Sequence, residues 1–290
     1  MFQGSTVALV TPHKNGEIDK DALADLVEFQ IENGTNALLP CGCTGEAATM
    51  SHDEQIETIR FVVEQAKGRV PIMAGSGSNN TKEALQLTQR AKAAGADGAL
   101  LITPYYNKPT QGGLIAHYNA IAEAVNIPII LYNVPGRTSL KIEPETIAEL
   151  SKTSNIIAVK EACGSVDQVS QILALCDIMV LSGDDTLTLP MMSVGAQGIV
   201  SVVANLVPQD VSALVSAFNA GNLKLAQELH YKMVPLNKAM FIETNPLPVK
   251  TALSLMGKIQ NEFRLPLVLM QEDTKAQLER VLQSYEGVAV

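Results

Sequence analysis

The stretch Asn155-Ile156-Ile157-Ala158-Val159-Lys160 decides how this chain is read. It is an apolar, partly β-branched run of the length of a buried strand, and it ends on a lysine followed at once by Glu161-Ala162. An isolated strand-end lysine more often runs its stem past the strand and keeps its ammonium in water. If the side chain is buried instead, the charged form is disfavoured and the pKa falls. A free amine able to attack a carbonyl results, as a Schiff-base nucleophile requires. The rest of the chain decides between these two readings.

Seven further runs of the same kind lie at 6–10, 36–40, 71–74, 98–103, 128–132, 178–182 and 198–202, which makes eight with 155–160. Helical patterns fill the gaps at 20–33, 51–67, 82–94, 112–125, 144–151, 166–175 and 186–194. The strand candidates are continuously apolar rather than alternating, as expected when both faces of a sheet are covered. Gly34, Gly68, Gly95 and Gly221 stand where helices are expected to end. Strands and helices alternating in this number predict an α/β fold, a (β/α)8 TIM barrel with a C-terminal helical extension. A doubly wound open sheet is the alternative. Six strands are more usual there, and no Gly-x-Gly-x-x-Gly follows the first strand. Gly75-Ser76-Gly77 reads as a plain βα turn rather than a phosphate loop. Beyond residue 202 the pattern is purely helical, at 208–219, 223–241, 246–256 and 272–285. The expected division is a catalytic barrel over 1–222 and a helical region over 223–290. No polar linker separates them, so the second part is expected to pack on the barrel or on a neighbouring subunit.

A chain of 290 residues, 47% hydrophobic and 18% charged, can bury a large core. The net charge of -9 and the lack of a basic run argue against nucleic acid or an anionic membrane as the main partner. The apolar runs are far too short to span a bilayer, and Met1-Phe2-Gln3-Gly4 has no signal-peptide character, so the expected location is the cytoplasm. Cys41, Cys43, Cys163 and Cys176 follow no disulfide or metal-ligand spacing, and His13, His52, His117 and His230 are scattered singly. Reduced thiols and no metal site are expected.

In barrels of this kind chemistry gathers at the C-terminal ends of the strands. Those ends read Cys41-Gly42-Cys43-Thr44-Gly45-Glu46, Thr103-Pro104-Tyr105-Tyr106-Asn107, Tyr132-Asn133-Val134-Pro135-Gly136-Arg137-Thr138, Lys160-Glu161 and Ser182-Gly183-Asp184-Asp185. One rim therefore carries an amine, several phenols, small hydroxyl and thiol groups and a guanidinium. Lys160 would supply the amine for a carbonyl substrate, and the Tyr132 phenol would move protons. Glycine-flanked N–H groups near Thr44, at a helix start, would hold a carboxylate. Arg137 would take a second carboxylate through its two-pronged guanidinium. Taken singly, a strand-end tyrosine is more often a wall residue, Arg137 a surface ion pair, and Asp184-Asp185 a helix cap. Joint placement on one rim favours the chemical reading. Lys250, in Asn245-Pro246-Leu247-Pro248-Val249-Lys250, is the rival lysine. It lies off the strand ends and is assigned a structural role.

These same segments, together with Asn245 to Lys250, resemble the pyruvate-dependent class I aldolase superfamily, and within it the 4-hydroxy-tetrahydrodipicolinate synthase (dihydrodipicolinate synthase) family. The likeness runs essentially end to end. The Tyr-Asn-Val-Pro-x-Arg-Thr segment discriminates, since sialic acid lyases and 2-keto-3-deoxy sugar acid aldolases usually lack its arginine. The resemblance implies a pyruvate imine on Lys160, no separate cofactor, and condensation of the derived enamine with L-aspartate 4-semialdehyde on the diaminopimelate route to lysine. It implies Tyr132 as acid and base, Arg137 on the semialdehyde carboxylate, and the Cys43-Thr44 backbone on the pyruvate carboxylate. Gly183 and Val200 would line the pyruvate pocket. Tyr106 would reach into the site of a neighbouring subunit, in a homo-oligomer built as a dimer of dimers. Cys43 stands where the family usually has threonine, and a thiol is the poorer proton relay, so a lower turnover is expected. For feedback by lysine the matching positions include His52, Asn79, Glu83 and Tyr105. Gln55 and Ala47 depart from lysine-sensitive members, so weak or absent inhibition is expected. A sugar-acid or N-acetylneuraminate aldolase and a catalytically weak amino-acid-binding barrel are the competing readings.

Overall fold

The computed structural model describes residues 1–289. Eight parallel strands form the barrel: β1 Gly4–Ala8, β2 Ala37–Leu39, β3 Met73–Gly75, β4 Gly98–Ile102, β5 Ile129–Asn133, β6 Ile156–Glu161, β7 Met179–Ser182 and β8 Gly198–Ser201. Pairing runs β2-β1-β8-β7-β6-β5-β4-β3, and a parallel bridge between Leu38 and Ile72 completes the ring. Around it lie α1 Lys20–Glu32, α2 His52–Ala66, α3 Thr81–Ala93, α4 Gln111–Ala124, α5 Pro144–Leu150, α6 Val166–Leu175, α7 Thr188–Ser193 and α8 Pro208–Asn219. Three more helices follow: α9 Leu223–Ala239, α10 Leu247–Leu255 and α11 Glu272–Ser284. This is the (β/α)8 TIM barrel with a C-terminal helical extension that the sequence predicts. Among the described residues no helix is long and apolar enough to cross a membrane.

Alternation along each strand sorts side chains into two layers. Phe2, Ala8, Leu39, Met73, Leu100, Ile130, Ala158, Leu181 and Val200 fill the barrel interior. Val7, Leu38, Leu101, Leu131, Val159, Val180 and Ile199 face outward and pack against Leu26, Val62, Ile121, Ile147 and Ile172 of the helices. Burial on both faces is why the strands read as unbroken apolar runs. The outer layer also takes in Leu236 and Ala239 of α9, Val249 and Leu253 of α10 and Leu278 and Leu282 of α11, so the C-terminal helices share the barrel's core.

Helices begin where side chains supply acceptors to free N–H groups. Asp19, Asn80, Thr110, Ser165 and Asn222 cap their helices, and Ser51 with Glu54 makes a reciprocal capping box at α2. Gly34, Gly68, Gly95 and Gly221 take up left-handed backbone at the helix ends. Two elements escaped the sequence pattern. His13–Lys14 and Glu17–Ile18 form a short antiparallel ladder around Asn15-Gly16, both at positive φ, as a type I′ hairpin turn requires. Pro135–Thr138 forms one helical turn directly after β5. The stretch expected as one helix at 186–194 instead begins as a 3-10 turn, Asp185–Leu187, which passes into α7.

Candidate active site

The pairing of β5 with β6 sets Tyr132 beside Lys160 and Asn133 beside Glu161. A bulge at Ile157, where Ile130 pairs with Ala158 rather than with Ile157, brings Ala158 and Lys160 onto the inner face. Lys160 is only 5% exposed, and its Nζ lies 4.1 Å from the centroid of the Tyr132 ring. Burial lowers the Lys160 pKa to about 8; nearby Cys43 and Asp185 pull it upward, and Arg137 pushes it further down. Burial, reinforced by Cys43, raises the Tyr132 phenol well above its ordinary value, so it is a protonated donor at neutral pH. The strand-end lysine is thus a buried, partly neutral amine and not a residue reaching into solvent.

The outer face of the same two strands is a clamp. Both Glu161 oxygens accept from Asn133 Nδ2, at 3.0 and 2.9 Å, and Oε1 also accepts from the Cys163 N–H at 2.9 Å. Asn133 Oδ1 in turn accepts from the Ile142 N–H at 3.0 Å. Gly183 makes room for the lysine stem: a Cβ there would lie 3.1 Å from Lys160 Cε and Cγ and 2.7 Å from Ala162 Cβ. Val200 is fully buried in the interior layer with Tyr132 and Leu181.

Cys43, Tyr132, Arg137 and Asn245 line a cavity of about 540 Å³ above this point. Thr44 is buried, and its Oγ1 accepts from Asn245 Nδ2 at 3.0 Å. The N–H groups of Cys43 and Thr44 donate to no acceptor among the described residues. They precede a 3-10 turn, Ala47–Thr49, rather than opening a full helix as expected. Arg137 is exposed at the cavity wall and spends one N–H group on Asn245 O at 2.9 Å, and the rest of its fork has no hydrogen-bond partner among the described residues.

The same cavity is also lined by His52, Gln55, Glu83 and Tyr105. Glu83 accepts from Ser78 Oγ at 2.8 Å. The Gln55 amide is held by Ala47 O at 2.9 Å and Met50 O at 3.4 Å. Asn79 is not in the lining; its Nδ2 donates to Tyr105 O at 3.0 Å and its carbonyl accepts from Asn107 Nδ2 at 2.8 Å, which clasps the loops after β3 and β4. Tyr106 also stays outside the cavity of its own chain. Its backbone is left-handed, with φ 70°, and its side chain is 91% exposed.

A family model described as the dihydrodipicolinate synthetase family matches residues 1–285. This chain belongs to that family. The 4-hydroxy-tetrahydrodipicolinate synthase of Geobacter sp. (strain M21) is 57% identical over 288 residues, covering 99% of each chain. The crystal structure of dihydrodipicolinate synthase from Aquifex aeolicus superposes with a TM-score of 0.97 at 48% identity, covering 99% of each chain. The chloride-inhibited dihydrodipicolinate synthase from Acinetobacter baumannii, complexed with pyruvate, superposes with a TM-score of 0.97 at 44% identity over the full length of both chains. The family expected from the strand-end motifs is the family found.

For a dihydrodipicolinate synthetase family member, three features of the site lay outside the sequence reading. Asp184 caps as expected, accepting from the Thr186 N–H at 3.0 Å, but Asp185 does not. It is buried and accepts from Ser201 Oγ at 2.5 Å and the N–H groups of Val202 and Val203 at 3.0 and 3.2 Å, close enough to Lys160 to act on its charge. Asn245 joins Thr44 to Arg137 from the C-terminal region; a lone Asn-Pro pair between helices gave little signal. Lys250 is fully buried against Glu46 and His13, a pairing across some two hundred positions that no local pattern shows.

Proposed function

We propose that this chain catalyses the reaction its relatives are named for, the 4-hydroxy-tetrahydrodipicolinate synthase reaction, a lyase-type condensation of pyruvate with L-aspartate 4-semialdehyde on the diaminopimelate route to lysine. The observation that carries the reading is the buried amine of Lys160, held near pKa 8 and seated 4.1 Å from the Tyr132 ring on a rim that Arg137 overhangs. The Lys160 amine adds to C2 of pyruvate, and the carbinolamine loses water to give the imine. Loss of a C3 proton gives the enamine. Its C3 attacks the aldehyde carbon of the semialdehyde, which forms the carbon–carbon bond and a hydroxyl. The semialdehyde amino group then adds to the imine carbon and expels Lys160 as the free amine, closing the six-membered ring.

Tyr132 gives and takes the protons of the carbinolamine and enamine steps, with Cys43 beside it as the relay. The Cys43 and Thr44 N–H groups hold the pyruvate carboxylate, Gly183 and Val200 shape its pocket, and Arg137 takes the semialdehyde carboxylate. The lysine carries pyruvate covalently, so no separate cofactor is required. The exposure and left-handed backbone of Tyr106 fit a side chain presented to a neighbouring subunit, in a homotetramer that is a dimer of dimers in the cytoplasm. His52, Glu83 and Tyr105 of the same cavity, with Asn79 holding the Tyr105 backbone from outside it, form an amino-acid effector site. Borohydride reduction in the presence of pyruvate tests the core of the reading: a reduced pyruvate adduct on Lys160 is expected, and an unmodified Lys160 overturns it. A coupled assay with L-aspartate 4-semialdehyde should then turn over; turnover only with sugar acids would assign the sugar-acid aldolase activity instead.

A further inference from the structure

The loop between β2 and the 3-10 turn is held in an unfavourable backbone. Cys41 and Glu46 bracket it, both non-glycine and both left-handed, with φ 56° and 55°. Such residues persist only where their surroundings hold them. Thr11 Oγ1 holds the loop at Gly45 O, at 2.7 Å. Gly75 lets it approach β3, since a Cβ there would fall 2.1 Å from Cys41 O. A further anchor is the Glu46 side chain, which is fully buried and paired with the equally buried Lys250 ammonium. His13 completes the group, its Nδ1 3.2 Å from Lys250 Nζ and 3.7 Å from Glu46 Oε1. Burial, aided by Lys250 and Arg264, drives the His13 pKa down to about 4, so a neutral imidazole accepts from the ammonium. A buried carboxylate and a buried ammonium each carry a heavy desolvation cost, so the two are bound to stay together.

We propose that the Glu46–Lys250 pair is a positioning device that locks the Cys43–Thr44 loop in the geometry that receives the pyruvate carboxylate, and that α10 of the C-terminal region is thereby part of the carboxylate site. The inference rests on the reading of that loop as the pyruvate carboxylate cradle. Neither side chain touches the reacting atoms. Glu46 lies two residues from Thr44, and Lys250 reaches it from the helix that follows Asn245, the residue already bonded to Thr44 Oγ1. The segment from Asn245 to Lys250 therefore grips the cradle loop at two points.

The pair acts on binding, so its loss is read in KM for pyruvate rather than in kcat. In Lys250→Met and in Glu46→Gln, KM for pyruvate should rise about tenfold or more, with kcat within about threefold and KM for L-aspartate 4-semialdehyde unchanged. Lys250→Arg, which keeps the charge, should recover part of the loss. A pair that served only overall stability would lower the melting temperature and leave both KM values alone. A folded Lys250→Met or Glu46→Gln enzyme with an unaltered KM for pyruvate overturns the proposal. Should neither variant fold, hydrogen exchange of the wild-type enzyme with and without pyruvate decides. Peptides covering 41–46 and 244–250 should gain protection together; protection confined to 41–46 refutes the coupling. If wild-type Lys160 forms no borohydride adduct with pyruvate, it is the reading of the site that fails, not the role of the pair.

Discussion

Replacing Lys160 by methionine should abolish imine formation and at the same time stabilise the fold, with the pH signature of a buried amine. Burial moves this lysine from its ordinary 10.5 to about 8 in the folded chain. Between those values the unfolded chain binds more protons than the folded one, so stability rises with pH across that window. Below pH 8 the lysine costs the folded state about 3 kcal/mol, and above 10.5 it costs nothing. Methionine has a similar unbranched stem and does not titrate. The variant should therefore exceed the wild type by about 3 kcal/mol at pH 7, and the gap should close as pH approaches 10.5. Urea denaturation at fixed protein concentration, repeated from pH 7 to 10.5, measures this. A gap that does not change with pH, or a variant less stable at pH 7, would refute the claim that the amine is desolvated. The same shift governs reactivity. A pKa of about 8 leaves roughly a tenth of the amine free at pH 7 and half at pH 8, so the rate of borohydride trapping should rise about fivefold over that unit and level off above pH 9.

Cys43→Thr restores a hydroxyl beside Tyr132 and should raise kcat several-fold; an unchanged or lower kcat removes the relay argument. Gly183→Ala places a methyl 2.7 Å from Ala162 Cβ and 3.1 Å from the lysine stem, so it should cost about 1–3 kcal/mol and slow borohydride trapping, and wild-type trapping would show that the stem has other room. Arg137→Ala should raise KM for L-aspartate 4-semialdehyde about tenfold or more while leaving the adduct with pyruvate intact, which mass spectrometry resolves. With the Gln55 amide tied to Ala47 and Met50 carbonyls, L-lysine should inhibit weakly or not at all; strong inhibition at sub-millimolar lysine in an activity titration contradicts that.

The barrel was legible because its strands are covered on both faces, so that 98–103 and 128–132 read as unbroken apolar runs. Lys160, Tyr132 and Arg137 were legible because a (β/α)8 barrel brings strand ends to one rim whatever their spacing in sequence. Less visible was anything that rests on register. The bulge at Ile157 has no marker in an Ile-Ile-Ala run, yet it aims Lys160 inward. Asp185 looked like half of a capping pair, and only the closeness of β7 to β8 shows its bonds to Ser201, Val202 and Val203. Asn245 and Lys250 reach the site from a region that the sequence pattern sets apart as helical packing. Asn15-Gly16 was a readable hairpin signal whose flanks, two residues long each, were too short to register as strands.

The two faces of β5 and β6 explain how a costly amine is kept where the chemistry needs it. On the inner face Lys160 makes no salt bridge among the described residues, and Asp185 is the carboxylate there whose charge favours the ammonium. Asp185 is itself held by three donors, and burial raises its pKa. The inner face alone would not fix the register of the two strands, because Tyr132 and Lys160 meet only through a ring face and an amine. The outer face fixes it: Glu161 and Asn133, one residue along on each strand, lock together at 2.9 and 3.0 Å in a buried setting. A slip of one residue would break that clamp and turn Lys160 out toward the helices. The polar clamp outside thus lets the inside stay poor in charge, and that poverty of charge is what keeps the Lys160 amine partly neutral at physiological pH.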